Sequence, residues 1–515
     1  RQTKEKVIFL GTQERLINRD DLGILDLAIV DEFYKLDPNR GDQRSVVLNA
    51  AVYKLLGKAR QFFFLGPNID GVSVSGDSRW KFEFLKTRFS TVAVDTFDLQ
   101  GVADKSARLA TEVYDSDNWP ALVFVSSPDR ANVLAKELCV EHESVGSAGS
   151  LADWIDHNYG AGWPLSDAVR GGIAVHHGRV PRALASRFVK LFNNRSLPIL
   201  LCTSTLIEGV NTAAKSVLIF DKKINREDYD FFTFSNIRGR AGRLGQHHVG
   251  KVFLFHGSPM QDAIDVAPPL FGDLDDAPDE MVVHIDQEEL TPELKGRIQD
   301  VSQRLRLSDD VVRRYSGLGI DVLEQLRSAK DANREVSGRS LEWRGWPRWA
   351  NLLAVCTLIC EAASSRAFGV SSPKQLALYL TKLSQFPFMR DFYLWHSVSY
   401  QGKEVSKDNV FKFLRACEFN LPELFMALHE ICRADDLFVD YSAYSTGMQC
   451  WFRAEPLKVL EEQGVPIQIS ERFLRRDDTV DELRGRLVGA VLSDSDVLSD
   501  MEREWVREAL PDWIR

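Results

Sequence analysis

Arg240 and Arg243 stand three positions apart in Asn236-Ile237-Arg238-Gly239-Arg240-Ala241-Gly242-Arg243. Glycines and a small alanine around them make a compact turn that aims two guanidinium groups at one point. Guanidinium is always charged, and its planar fork of donors fits phosphate oxygens. A converging pair suits the negative charge that builds on a transferring γ-phosphoryl group. Further upstream, Asp31 and Glu32 follow the apolar run Leu27–Val30. Paired carboxylates at the C-terminal end of a parallel strand face the ligand crevice of an open sheet. There an Asp holds Mg²⁺ and a Glu polarises the attacking water. A third run, Thr203-Ser204-Thr205-Leu206-Ile207-Glu208-Gly209-Val210-Asn211, also follows an apolar stretch. Its hydroxyls suit backbone phosphates, and Gly209 lets the main chain approach a nucleotide closely. Each run alone has a plainer reading as a solvated turn. Three phosphate-chemistry elements, each after a buried strand, favour the chemical one.

The elements that must position these residues are short apolar runs. Val7–Leu10, Leu27–Val30 and Phe62–Leu65 form a first series. Thr91–Val94, Ala121–Val125, Gly172–Val175, Ile199–Cys202, Ser216–Phe220 and Lys251–Phe255 form a second. Unbroken runs bounded by polar turns predict strands buried on both faces of a parallel sheet. Helical spacing at Ala131–Val140 and Pro181–Phe192 between them predicts α/β architecture, one domain partial and one complete. A strand as early as residue 7 reads as a chain beginning inside a domain, a fragment of something longer. The stretch Gly257–Val283 is acidic and proline-bearing with no Lys or Arg, which predicts a solvated linker or surface loop. Beyond it the spacing turns helical at Pro292–Leu305, Asp309–Tyr315, Asp321–Lys330, Trp349–Ala363, Pro373–Gln385, Ser406–Arg415, Pro422–Ala434 and Asp481–Leu492. The expected division is 1–88, 89–257, an acidic segment 258–287, a winged-helix or helical connector 288–335, and a helical domain 336–515.

A length of 515 residues suits roughly three to four domains, and a net charge of −10 excludes an indiscriminately basic nucleic-acid coat. No apolar run reaches the ~18 residues that a membrane helix needs. The seven cysteines include no C-x-x-C pair, which argues against structural zinc. Free thiols, with Cys356 and Cys360 on one helix face, suit a reducing cytoplasm.

Taken together, the motifs resemble those of superfamily 2 helicases, in particular the Ski2-like, DExH-type group. Asp31-Glu32-Phe33-Tyr34 resembles motif II, Thr203–Asn211 motif V, and Asn236–Arg243 motif VI. Thr12-Gln13-Glu14-Arg15 is similar to motif Ib. Val123-Phe124-Val125-Ser126-Ser127 is similar to motif IV, and His176-His177-Gly178 with Arg182 to the H-x-G segment. The resemblance covers residues 1 to about 257 and implies two RecA-like parallel-sheet domains, the first incomplete, before a mostly α-helical C-terminal region. It implies ATP and Mg²⁺ as cofactors. Asp31 would coordinate the metal, Glu32 would be the catalytic carboxylate, and Arg240 and Arg243 would be arginine fingers. Gly209, Asn211 and Asn236 would meet the nucleotide. Thr12, Arg15, Ser126 and Thr203 would hold backbone phosphates of a single-stranded or partly duplex nucleic acid.

Four departures stand out, one of them Asn236 in place of glutamine, a one-methylene shortening with the same amide. Tyr34 replaces the usual histidine, and a phenol does not titrate near neutrality. Leu65-Gly66-Pro67-Asn68 stands where S-A-T is expected. No G-x-x-x-x-G-K-[ST] occurs; Lys58 in Leu56-Gly57-Lys58-Ala59 lacks the first glycine and the hydroxyl that a phosphate loop needs. Between motifs V and VI, the family can carry a hairpin that pries strands apart, with Phe231 or Phe232 either stacking on a base pair or filling the core. Trp343-Arg344-Gly345-Trp346-Pro347-Arg348-Trp349 offers either strand stacking or packing anchors. The implied function is a helicase or translocase moving 3′→5′ on DNA, with RNA an alternative track. The helical tail has the look of bacterial helicases that act with a nuclease in phage defence. The rival reading is a helicase-like platform that binds nucleic acid or a partner and uses ATP as a switch, or not at all.

Overall fold

The computed structural model describes residues 7–16, 19, 21–40, 45–67, 69–75, 80–87, 93–141, 148–207, 212, 214–224, 226–242, 249–261, 264–333, 338–400 and 407–513. The strands that matter here are β1 (Ala28–Val30), β2 (Phe62–Phe64), β3 (Ala93–Asp98), β4 (Ala121–Phe124), β5 (Ile173–His176), β6 (Ile199–Cys202), β7 (Ser216–Ile219) and β8 (Val249–Leu254). The chain packs into two units. One comprises 1–88, 262–364 and 420–445; the other comprises 89–261, 365–419 and 446–515.

In the first unit β1 and β2 pair in parallel, Ala28 opposite Phe62 and Val30 opposite Phe64. Helix Ser45–Lys58 buries Ala50, Ala51, Val52 and Leu56. Asn49 fastens it, donating from Nδ2 to the Leu36 carbonyl at 2.6 Å. Residues 7–10, expected as a strand, form no ladder, and their apolar side chains are exposed. Most of the other expected strands appear within a residue or two of their boundaries; the first of the second series runs instead over β3, Ala93–Asp98.

The second unit holds a six-stranded parallel sheet in the order β3-β8-β7-β4-β6-β5. Strands β4, β6 and β7 in its middle are buried at every residue. That burial on both faces explains their unbroken apolar runs. β3 sits at an edge and is largely exposed.

The acidic segment 258–287 is structured, which corrects its reading as a bare solvated loop. Ile264, Val266, Leu270, Phe271, Met281 and Val282 are buried, and Asp265–Val266 pairs in parallel with Gly71–Val72. Its acids face outward while its apolar residues cover the first unit. The helices beyond 288 do not cluster as one body either: 365–419 and 446–515 pack with the six-stranded sheet, while 288–364 and 420–445 pack with β1 and β2. Two RecA-like parallel sheets with a following helical region are therefore the architecture, the helices being divided between the sheets.

Candidate nucleotide and nucleic-acid site

The acidic pair sits where β1 ends. Asp31 is exposed, and its Oδ1 accepts the Glu32 N–H at 2.9 Å. Glu32 has φ 53°, a left-handed conformation that costs a branched or long side chain energy. This twist turns the chain sharply off the strand and lets Phe33 and Tyr34 bury. The Phe33 N–H donates to the Leu65 carbonyl at 3.1 Å, which ties motif II to the end of β2. Gly66 keeps this corner tight: a Cβ there would meet Ile69 Cδ1 at 2.5 Å and the Phe33 ring at 3.1 Å, so those side chains would have to shift. The Glu32 carboxylate pairs with Lys35 Nζ at 2.7 Å. Tyr34, in the position of the family histidine, is buried.

The donor set fits Mg²⁺. Among the described residues no cluster of three or more His, Cys, Asp or Glu is arranged to hold a metal. Mg²⁺ asks for less, because one or two carboxylates suffice when phosphates and waters fill the remaining positions. An exposed Asp31 beside Glu32 offers that much. Gly57-Lys58, by contrast, closes the C-terminal end of helix Ser45–Lys58. A phosphate loop places its lysine at a helix N-terminus, so this pair is no such loop.

In the second unit, helix Phe231–Arg238 carries Asn236, and Arg240 follows in the turn after it. The Asp230 side chain caps the helix by accepting the Thr233 N–H at 2.8 Å. The small residues in the run each have a steric reason. Gly242 has φ 77°, and its N–H donates to the Ala214 carbonyl at 2.9 Å. Ala241 is buried, and its backbone presses so close to β8 that a Cβ on Gly250 would sit 2.6 Å from the Ala241 carbonyl carbon. The turn is thus seated directly on the sheet. The buried Cys202 thiol at the end of β6 is pushed up by burial, and the Arg240 charge opposes that shift. Motif VI and the end of the motif V strand therefore share one electrostatic environment. Arg243, Gly209 and Asn211 lie outside the described residues.

The strand-contact residues divide. Thr12 is exposed at the start of helix Gln13–Leu16, and Arg15 belongs to that helix, its side chain outside the described residues. Ser126 follows β4, and its N–H donates to Asp221 Oδ2 at 2.8 Å. Thr203 is buried, its hydroxyl 3.2 Å from that of Thr205. Thr205 is the exposed hydroxyl at this strand end, and the sequence did not single it out. Between motifs V and VI a short antiparallel hairpin pairs Lys223–Ile224 with Glu227–Asp228. Phe231 is not on it; it is half-buried on the first turn of the next helix, 6.1 Å from the Phe234 ring. Phe232 is buried.

Asp408, from helix Lys407–Glu418, was also missed. Its buried carboxylate accepts from Asn132 Nδ2 at 2.8 Å and from Trp163 Nε1 at 3.4 Å. His177 Nε2 and Arg179 lie at 3.8 and 3.9 Å. It binds the helix after motif IV and the H-x-G segment to the helical region. Burial raises the Asp408 carboxyl, opposed by its Asn132 hydrogen bond and the Arg179 charge. Burial, then the Arg179 charge, lowers His177 to about 4. No local motif marks Asp408, because its partners are more than 200 residues away in sequence.

No family model matches the chain. It is 29% identical over 505 residues to anti-bacteriophage protein B of Escherichia coli, covering 91% of this chain and 69% of that protein. It is 27% identical over 264 residues to the ATP-dependent DNA helicase Hel308 of Pyrobaculum calidifontis, covering 45% of this chain and 36% of the relative. Over 166 residues it is 25% identical to Hachiman protein HamB of Bacillus cereus, covering 29% of this chain and 14% of that one. In its strand-end carboxylates, its seated Arg–Gly turn and these relatives, the chain is similar to the Ski2-like group of superfamily 2 helicases.

Proposed function

We propose that the chain is part of an ATP-dependent helicase or translocase that moves 3′→5′ on DNA in the cytoplasm and serves in phage defence beside a nuclease. The motif VI turn carries the reading: Gly242, Ala241 and Gly250 hold the backbone next to Arg240 against the sheet. A seated turn lowers the reorganisation that an arginine needs when phosphoryl charge develops. The defence role is supported by the similarity to anti-bacteriophage protein B and to Hachiman protein HamB.

When bound, Mg·ATP supplies in-line γ-phosphoryl transfer to water. Asp31 offers a hard oxygen to the metal. Glu32 orients the attacking water and accepts its proton, releasing Lys35 as it does so. Arg240 and Arg243 offset the charge on the transferred group, while Gly209, Asn211 and Asn236 line the nucleotide. Thr12, Arg15, Ser126 and Thr203, with Thr205 as the exposed hydroxyl, hold backbone phosphates. In this reading the hairpin that pairs Lys223–Ile224 with Glu227–Asp228 would part the strands. Boundaries near 88 and 257 delimit the two sheets in this reading.

The second reading, a nucleic-acid or partner platform, is favoured by one observation: buried Tyr34 replaces the titratable histidine that links the ATP site to the strand. Strand displacement by the full-length protein separates the two. Duplex DNA with a 3′ tail is expected to be unwound with ATP, a 5′-tailed duplex is not, and Glu32→Gln abolishes the activity. Tight binding with no displacement on tailed DNA or RNA favours the platform.

A further inference from the structure

The first unit holds a cleft of about 1010 Å³ away from the strand-end carboxylates. Lys54 and Lys58 of helix Ser45–Lys58 line it, as do Arg313 and Arg314 of helix Asp309–Tyr315. Its acids are Asp286 and Asp310. Asp310 already accepts from Arg313 at 3.4 Å, so cations outnumber carboxylates. The cleft's Lys58 wall lies toward the other end of β1 from Asp31: the Lys58 carbonyl accepts the Leu25 N–H, ahead of the strand, whereas Asp31 follows it.

The walls are held in place. Arg313 Nε donates to the Val283 carbonyl at 2.7 Å. His284 Nε2 lies 2.9 Å from Ser316 Oγ, and Tyr53 donates its hydroxyl proton to Glu289 at 2.7 Å. Burial, then the charges of Arg313 and Lys54, hold the His284 imidazole down at about 4, so at neutral pH it is a neutral reporter inside a positive field. Four cations lining one cavity favour anions, and arginine pairs favour phosphate oxygens. The volume is at the upper end of small-molecule pockets, which run to about 1,000 Å³.

We propose that this cleft binds a phosphate-bearing ligand through Lys54, Lys58, Arg313 and Arg314, supplied either as a free nucleotide polyphosphate or as a stretch of nucleic-acid backbone. The site goes beyond the motor reading and does not depend on it. The test is calorimetric titration of the full-length protein with inorganic tripolyphosphate and, separately, with a single-stranded oligothymidylate, comparing wild type with Lys58→Ala and Arg314→Ala. Both substitutions lie at solvent-accessible side chains, and unchanged thermal unfolding confirms their folds. Tripolyphosphate binding weakened at least tenfold by each substitution, with the His284 ring signals of the wild type moving on addition, supports the site. If oligothymidylate binding weakens in step and tripolyphosphate competes with it, the source is the nucleic-acid backbone. If only tripolyphosphate binding weakens, the source is a free polyphosphate. Equal affinities for both probes in all three proteins, or still His284 signals, overturn the proposal.

Discussion

Glu32 holds a left-handed backbone that glycine and asparagine adopt more cheaply. Such backbone strain is a stability cost, and in the proposed function it is accepted for the geometry of the Glu32 carboxylate. Glu32→Asn is therefore expected to stabilise the first unit by about 0.5–1 kcal/mol while abolishing ATP turnover. Thermal unfolding together with a phosphate-release assay checks both halves; a destabilised variant contradicts the strain argument. Asp408 makes the opposite case. Its removal orphans the Asn132 amide and the Trp163 N–H, so Asp408→Ala is expected to destabilise the second unit by about 2–4 kcal/mol. Asp408→Asn, which keeps a carbonyl acceptor, loses less. Urea unfolding of the three proteins separates these expectations.

At the scale of elements, the helical region is fastened to the helices around the six-stranded sheet by ion pairs of the buried Arg187 and by hydrogen bonds to buried carboxylates. Arg187 pairs with Glu504 at 3.2 Å and with Glu508. Glu461 accepts the Ala183 N–H at 3.3 Å, and the Trp154 indole donates to Glu502 at 2.8 Å. Glu471 accepts the Met389 N–H at 3.3 Å, and burial pushes its carboxyl up to about 7. A raised carboxyl contributes stability that is fully present below the unfolded value near 4.5 and is lost as pH rises through about 7. Glu471→Gln should therefore flatten the fall in unfolding free energy between pH 5 and 8, by about 1–2 kcal/mol at the upper end. An unchanged pH profile would count against a buried, protonatable Glu471.

Much of this scale was legible beforehand. Helices Pro292–Leu305, Asp309–Tyr315 and Pro373–Gln385 fall where apolar spacing and first-turn Pro or Asp place them. The inner strands of the six-stranded sheet are legible because burial on both faces leaves unbroken apolar runs. Val7–Leu10 misled because an apolar run alone does not supply a pairing partner. The segment 258–287 misled because its acids dominate the composition while Ile264, Phe271 and Met281 do the packing. Motif VI was legible because its glycines answer local steric demands. Thr205, Asp408 and the cationic cleft were not, because each depends on burial or on partners distant in sequence.

For the whole molecule, a net charge of −10 confines any nucleic-acid contact to local groups. Affinity carried by backbone phosphates should fall linearly in log–log plots against salt, with a slope that counts the contacts. A salt-independent affinity would point to stacking or base contacts instead. Among the described residues no single helix is long and apolar enough to cross a membrane. Each unit includes helices from beyond residue 288, so truncation near residue 257 should unfold rather than liberate the sheets. ATP hydrolysis by the full-length protein, with and without single-stranded DNA, tests the central claim most directly. The account predicts turnover stimulated by DNA in the wild type and abolished in Glu32→Gln and Arg240→Ala, with folding intact in both. Turnover unchanged by either substitution would contradict it.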